Sequence, residues 1–366
     1  MLLSKKSPLL HAFCAIGLSS CAQAPVEYES SRQFREGKFT NADSRVTGGS
    51  LAKVPGILWR YISETRIAPE PVKPVPMQLL TPELLANPDK NSVEIYRLGH
   101  SSLLLNLHGD YWLIDPVFGE RASPVSWAGP KRYHQPPISL EQLPELAGVI
   151  ISHDHYDHLD YPTITALGDN VGQYVVPLGV GKHLREWGVA PESIKELDWW
   201  ESFQHKQVTL TATPAQHFSG RSVGDSNETL WASWVIKTPE QSIFFSGDSG
   251  YFDGFKEIGE RLGPFDLTLM ENGAYDKDWP DIHMIPEQTM QAHKDLRGRV
   301  LMPVHNGTFD LALHPWYEPF ERLSALAKQD DIPLLTPVMG QGVNLNQLPD
   351  TSPWWRELMT QGNNHE

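Results

Sequence analysis

Leu146-Ala147-Gly148-Val149-Ile150-Ile151-Ser152-His153-Asp154-His155-Tyr156-Asp157-His158 is the stretch on which the reading of this chain turns. Its first half is a short apolar run of the kind that forms a buried strand. Its second half places four metal-ligand side chains, His153, His155, Asp157 and His158, within six residues. In extended backbone, side chains two apart point to the same side, so His153 and His155 converge on one point. A tight turn then redirects Asp157 and His158 towards a neighbouring point. Imidazole and carboxylate are the ligands of borderline cations such as zinc, and iron or manganese also accept them. The competing reading is a solvated polar turn, which gives no reason for four such residues directly behind an apolar strand.

Three more candidates stand just beyond apolar runs. His217 follows Val208 to Ala212, Asp248 follows Ser242 to Phe245, and His305 follows Val300 to Val304. Alone, each reads more readily as a hydrogen-bonded strand end. Taken with the first motif, they complete the donor set of a two-metal site. Asp248 lies in Ser246-Gly247-Asp248-Ser249-Gly250, where small neighbours leave room for a carboxylate to bridge two ions.

Further strands are expected at Val93 to Leu98, where apolar and polar residues mix, and at Trp231 to Ile236 and Leu267 to Met270. Ser102 to Leu107 and Tyr111 to Ile114 form a hairpin through Gly109-Asp110. Helices are expected from Pro162 to Leu167 and over 254–262, 286–296 and 317–329. Strands in clusters separated by helices suggest two sheets packed face to face with helices outside, an α/β fold.

The chain has 366 residues, 40% of them apolar, with 12 Trp, which is enough for a sizeable core. Its start reads as an export signal over residues 1–20, with Lys5 and Lys6 ahead of a short apolar stretch. Leu18-Ser19-Ser20-Cys21 resembles a bacterial lipoprotein processing site, which makes Cys21 a lipidated membrane anchor and the protein an outer-membrane lipoprotein. A signal cut after Ala22-Gln23-Ala24, or an uncleaved anchor, remains open. Residues 21–50 are polar and read as a flexible tether, 51–92 as an N-terminal extension packing on the domain, 93–345 as the domain itself and 346–366 as a C-terminal tail. The net charge of −15 argues against nucleic acid as a partner. Cleavage after residue 20 would remove two cations and no acid, so the mature chain is more negative still.

The motif from His153 to His158 resembles the signature of the metallo-β-lactamase superfamily. That resemblance implies an αββα sandwich of two mixed β-sheets with outer helices. It also implies two zinc ions, one on His153, His155 and His217 and one on Asp157, His158 and His305, with Asp248 and a hydroxide between them. Longer segments are similar to the N-acylphosphatidylethanolamine-hydrolysing phospholipase D branch. Among them are Leu98-Gly99-His100-Ser101, Asp115-Pro116-Val117-Phe118, Gly129-Pro130-Lys131-Arg132, Leu197-Asp198-Trp199-Trp200-Glu201 and His305-Asn306-Gly307-Thr308-Phe309. Asn306 departs from that branch, whose animal enzymes have Trp there.

The resemblance implies cleavage of a phospholipid phosphodiester to phosphatidic acid and N-acylethanolamine. Two dications outweigh two carboxylates and a hydroxide, so an acidic protein still offers local positive charge to a phosphodiester. Asp157 and His283 are the candidate catalytic residues, His283 standing where the branch has a functional histidine; a surface-loop histidine is the bland reading. Asp115 is a candidate to orient a ligand imidazole, with His100 and His314 weaker. Tyr156 is expected to point to the mouth of the site. Lys131, Arg132 and Arg221 are candidates for phosphate contact, although a solvated face is the simpler reading. Residues 51–66, Trp199, Trp200 and Trp279 are candidates for an apolar mouth, and a core aromatic cluster is the alternative for Trp199 and Trp200. Rival functions are a lactonase, a β-lactamase or a soluble phosphodiesterase on the same scaffold, and a non-catalytic zinc-binding envelope lipoprotein.

Overall fold

Alternation along the strands builds three apolar layers. A computed structural model describes residues 28–46, 54–222 and 224–359; the expected signal and Cys21 lie outside the described residues. The chain opens with a small hairpin, β1 (Phe34–Arg35) and β2 (Lys38–Phe39), followed by helices α1 (Val54–Ser63) and α2 (Pro82–Leu85). Next come β3 (Val93–Gly99), β4 (Ser102–Leu107), β5 (Asp110–Ile114), β6 (Leu146–Ile150), α3 (Tyr161–Leu167), β7 (Val171–Pro177), α4 (Gly181–Glu186) and β8 (Ile194–Leu197). The second half runs β9 (Ser202–His205), β10 (Val208–Thr213), β11 (Ser233–Lys237), β12 (Ser242–Phe245), α5 (Gly254–Leu262), β13 (Phe265–Glu271), α6 (Pro286–Asp295) and β14 (Gly298–Val304). It closes with α7 (Glu318–Gln329), β15 (Gly342–Asn344) and α8 (Arg356–Met359).

One sheet has the order β15-β3-β4-β5-β6-β7-β8 and the other β14-β13-β12-β11-β10-β9. Both are mixed. In the first, β5 to β8 are parallel and the rest antiparallel. In the second, β12 to β14 are parallel and β9 to β12 antiparallel. Leu103, Leu105, Trp112 and Ile114 face Leu210, Trp234, Phe245, Leu267 and Met302 in the layer between the sheets. Their neighbours Leu104, Tyr111 and Leu113 point the other way, into a cluster that includes Ile164 of α3 and Leu184 of α4. Phe244, Met270 and Leu301 meet Phe255, Met290 and Leu323 of α5, α6 and α7 on the opposite outside. The expected αββα sandwich is therefore what the chain forms.

Strand β3 reads as mixed in polarity, yet both its faces are covered: Val93 and Ile95 lie between the sheets, Tyr96 and Leu98 under the outer layer. Strand β7 and the short strands β8, β9 and β15 carry no clear signature in the sequence. β15 forms by pairing with β3, some 250 residues away, a partner that local pattern does not reveal.

One expectation is corrected. Residues 28–46 are no tether. The rings of Tyr28 and Phe34 pack at a tilt against Phe39, with centroids 5.3 and 5.0 Å away, and Phe39 is fully buried within the inter-sheet core. The segment is polar on average, but three aromatic rings on one side suffice to dock it. In the expected C-terminal tail, the described residues Trp354, Trp355 and Leu358 are buried against Val75, Trp316, Phe320 and Met339. Replacing Phe39 with Ala is expected to cost about 3 kcal/mol of stability, read from urea unfolding of the full chain; an undocked arm would leave the midpoint unchanged.

Candidate metal centre

Strands β5, β6, β10, β12, β13 and β14 all deliver their C-terminal ends to one edge of the sandwich, where crossover loops leave a crevice. The motif begins as β6 ends. The Ser152 amide and hydroxyl donate to the two oxygens of Asp115 at 2.7 and 2.6 Å. Asp115 follows β5 in a left-handed conformation, φ +40°. The same carboxylate accepts from His158 Nδ1 at 2.7 Å, which turns His158 Nε2 into the crevice. Asp115 thus holds the orienting place expected of it.

All seven expected ligands meet there. His155 Nδ1 lies 2.9 Å from His153 Nε2 and 3.2 Å from His217 Nε2. His305 Nε2 lies 3.2 Å from Asp157 Oδ2 and 2.9 Å from Asp248 Oδ2. His158 Nε2 is 3.2 Å from Asp248 Oδ2 and 3.6 Å from Asp157 Oδ2. Asp248 Oδ2 is also 3.9 Å from both His153 Nε2 and His217 Nε2, so it stands between the two groups. Tetrahedral ligands at about 2.0 Å from a zinc ion are about 3.3 Å apart, and the separations other than the two of 3.9 Å lie close to that spacing. His158 Nε2 and His305 Nε2 are buried close to carboxylate oxygens but make no hydrogen bond of good geometry, and neither does the buried Asp248 Oδ1. Such atoms are rare unless something else satisfies them, and this donor set suits divalent cations.

Electrostatics sets the charge on the clustered side chains. Burial holds His153 and His217 well below the usual histidine range and also lowers His155; the neutral imidazole is the ligating form. Burial opposes charge on His305 too, but Asp248 and Asp157 outweigh it and raise the pKa to about 10. His158 is raised by the same carboxylates and Asp115 against its burial. Burial alone would raise Asp157 and Asp248, yet His158 and other neighbouring imidazoles bring both well below the carboxylate range. A dication would take the place of the protons on His158 and His305.

Partners fix the orientation of the rest. His217 Nδ1 donates to the Ile282 carbonyl at 3.0 Å. His100, fully buried, places Nε2 at 3.0 Å from Asp157 Oδ2. His305 adopts φ +62° to turn its ring off the end of β14. Close approach makes two glycines necessary. A Cβ on Gly273 would lie 1.7 Å from the His305 carbonyl, and one on Gly247, at φ +55°, would lie 2.8 Å from Ser152 Cβ.

His283 sits beside the cluster, its ring 5.2 Å from His217 and 5.3 Å from His305. Its Nδ1 meets Glu271 Oε1 at 2.8 Å, and Glu271 Oε2 accepts from the Met284 amide at 3.0 Å. Glu271 is fully buried and was not among the expected site residues. A signal existed: it closes the apolar strand β13 as His305 follows β14 and Asp248 follows β12.

Other candidates lie elsewhere. Arg132 is buried and donates to the Gly119 and Val117 carbonyls at 2.9 and 2.7 Å. Arg221 donates to the carbonyls of Asp154 and Leu159 and covers the rings of Tyr156 and Trp187. Arg132 spends all three of its nitrogens on backbone oxygens, Arg221 spends Nη1 on two of them, and exposed Lys131 pairs with Glu120. Tyr156 donates its hydroxyl to the Arg221 carbonyl at 2.5 Å. His314 bridges the Gly273 and Pro315 carbonyls. Trp199 belongs to the inter-sheet core and donates to the Trp231 carbonyl, and Trp200 packs against that core. Trp279 donates to the Ala274 carbonyl within its own loop.

Residues 111–306 match the family model described as the beta-lactamase superfamily domain. An uncharacterized protein of Mycobacterium tuberculosis is 43% identical over 333 residues, covering 90% of this chain and 88% of that one. The N-acyl-phosphatidylethanolamine-hydrolyzing phospholipase D 1 of Caenorhabditis elegans is 38% identical over 262 residues, 67% of this chain and 73% of that one. Among solved structures, isothiocyanate hydrolase from Delia radicum gut bacteria superposes with a TM-score of 0.56 at 20% identity, over 68% of this chain and 98% of that one. Two mixed sheets with outer helices, a His/Asp cluster at the ends of their strands and these likenesses together place the chain in the metallo-β-lactamase superfamily of metal-dependent hydrolases.

Proposed function

We propose that this protein is a two-zinc phosphodiesterase that cleaves N-acylphosphatidylethanolamine or a related phospholipid in phospholipase D fashion, giving phosphatidic acid and N-acylethanolamine. The observation that carries this reading is the pair of donor groups joined at Asp248 with His283 beside them. His153, His155 and His217 would hold one ion, Asp157, His158 and His305 the other, with Asp248 shared. Two such cations supply Lewis acidity towards a phosphoryl oxygen and a nucleophile from water at about pH 7. The likeness to the worm phospholipase D supports the lipid substrate.

The protein's own groups do the remaining work. Glu271 fixes the Nδ1 proton of His283, so Nε2 is the nitrogen left to serve the reaction. There His283 would take a proton from the attacking water, with the buried Glu271 carboxylate facing the charged ring, and would return to neutral by delivering that proton to the departing alkoxide oxygen as its bond to phosphorus breaks. His100 keeps the Asp157 carboxylate turned inward.

Lipidated Cys21 would hold the enzyme in the bacterial envelope, at the outer membrane, and raise its effective concentration at a lipid surface. Among the described residues no helix is long and apolar enough to cross a membrane. Helix α1 exposes Trp59 and Ile62, at 68% and 80%, which suits contact with lipid. Arg60 of the same helix pairs with Asp276 at 2.6 Å and with Asp278, both in the loop that carries His283.

Three outcomes are expected. Dispersed N-acylphosphatidylethanolamine is hydrolysed with release of phosphatidic acid, whereas a lactone is not; lactone turnover without lipid turnover would move the protein to another activity of the scaffold. His283→Ala lowers kcat by about 10²-fold or more while two metals per chain remain by elemental analysis; Glu271→Gln shifts kcat in the same direction. Asp115→Ala frees His158 and weakens cation binding about 10- to 100-fold, read by chelator competition.

A further inference from the structure

His217 lies in the connection 214–232 between β10 and β11, whose described residues form neither helix nor strand. No sheet ladder therefore pairs its backbone, although the residue is fully buried. Unpaired backbone groups in such a place are costly. The side chain of Asn41, from the arm at the start of the chain, supplies both partners. Its Nδ2 donates to the His217 carbonyl at 2.8 Å, and its Oδ1 accepts from the His217 amide at 3.0 Å. The second Nδ2 hydrogen goes to the Val46 carbonyl at 2.8 Å, and Oδ1 also accepts from Trp231 Nε1 at 3.1 Å. An amide side chain offers two donors and two acceptor positions, and here all are used. Asn41 is 4% exposed.

The arm is held against the same connection at further points. The Phe39 amide donates to the Asn227 carbonyl at 2.8 Å, and Lys38 pairs with Glu228 at 3.3 Å. From the other side, Asp154, between the first two histidines of the motif, accepts from the Gly220 amide at 2.8 Å and the Thr229 hydroxyl at 2.9 Å. The connection that carries His217 is thus fixed from two directions, by the metal motif itself and by a segment some 176 positions earlier in the chain.

We propose that Asn41 is a positioning residue for the metal centre. It holds the backbone of His217 so that Nε2 faces His155 and Asp248, and the arm 28–46 is in this way a working part of the site. The inference rests on His217 being a ligand, as argued above. Its consequence is selective: the cation on His153, His155 and His217 depends on Asn41, and the cation on Asp157, His158 and His305 does not.

The test is release of zinc from the full, loaded chain into excess chelator, resolved into two kinetic phases, with metal content and circular dichroism measured alongside. Asn41→Ala is expected to speed one phase about 10- to 100-fold and leave the other unchanged. Asn41→Asp keeps the shape and the acceptor but loses the donor, so it should speed the same phase less; it also serves if the alanine variant does not fold. Trp231→Phe removes one bond to Asn41 and one to the Ala215 carbonyl but leaves both bonds between Asn41 and the His217 backbone in place, and it should lower thermal stability while both phases stay as in the parent. His217→Ala should hold a single zinc. Parent-like release from Asn41→Ala, equal acceleration of both phases, or the same selective change in Trp231→Phe would overturn the role of Asn41 while the ligand reading stands. Two tightly held zinc ions in His217→Ala would overturn the ligand reading, and the inference with it.

Discussion

A buried carboxylate ringed by imidazoles is the constraint around which this molecule is arranged. Asp248 Oδ2 lies 2.9 Å from His305, 3.2 Å from His158 and 3.9 Å from His153 and His217. No such cluster is stable as a chance collection, because each polar atom taken from water must find a partner. The protein meets that demand in layers. The inner nitrogens and carboxylates face one another, and the outer nitrogens face a second ring of fixed acceptors: Asp115 for His158, the Ile282 carbonyl for His217, and Glu271 for His283.

The sandwich makes this possible through the direction of its strands. β5 and β6 in one sheet, and β10, β12, β13 and β14 in the other, release their chain at the same edge, so short loops suffice to bring their ends together. Local backbone strain is concentrated at that edge. His100, Asp115 and His305 adopt positive φ at 53°, 40° and 62°, conformations that cost energy for residues other than glycine. Their surroundings are otherwise rigid: the strands behind them are almost wholly buried, and the layer between the sheets backs the site with Trp112, Ile114, Ile150 and Trp231. The rigidity of that layer holds the left-handed residues where the donors need them.

Much of this could be read in the linear chain. The run ending at Ile151 and the donors behind it identified one strand and its turn, and the repeated pattern of an apolar strand followed by a histidine or aspartate located three more members of the His/Asp cluster. Helix α5, expected over 254–262, forms over those residues, because its apolar face is set by Phe255 and Ile258 at helical spacing. Glu271 escaped notice because a carboxylate at the end of a strand looks like any exposed terminus until burial is known. The arm 28–46 escaped for a different reason: its average polarity hides three rings that act together only once the hairpin turns them to one side.

The linear order of residues was enough for the candidate ligand types, the strands that carry them and the alternation that stacks one sheet on the other, since each depends on neighbours a few positions apart. Only the tertiary structure decided who orients whom. Asp115 reaches His158 across 43 positions and Asn41 reaches His217 across 176. Contacts between segments so far apart arise from how two sheets and an arm come to rest against one another, and hydrogen bonding at that range leaves no periodic trace in either segment.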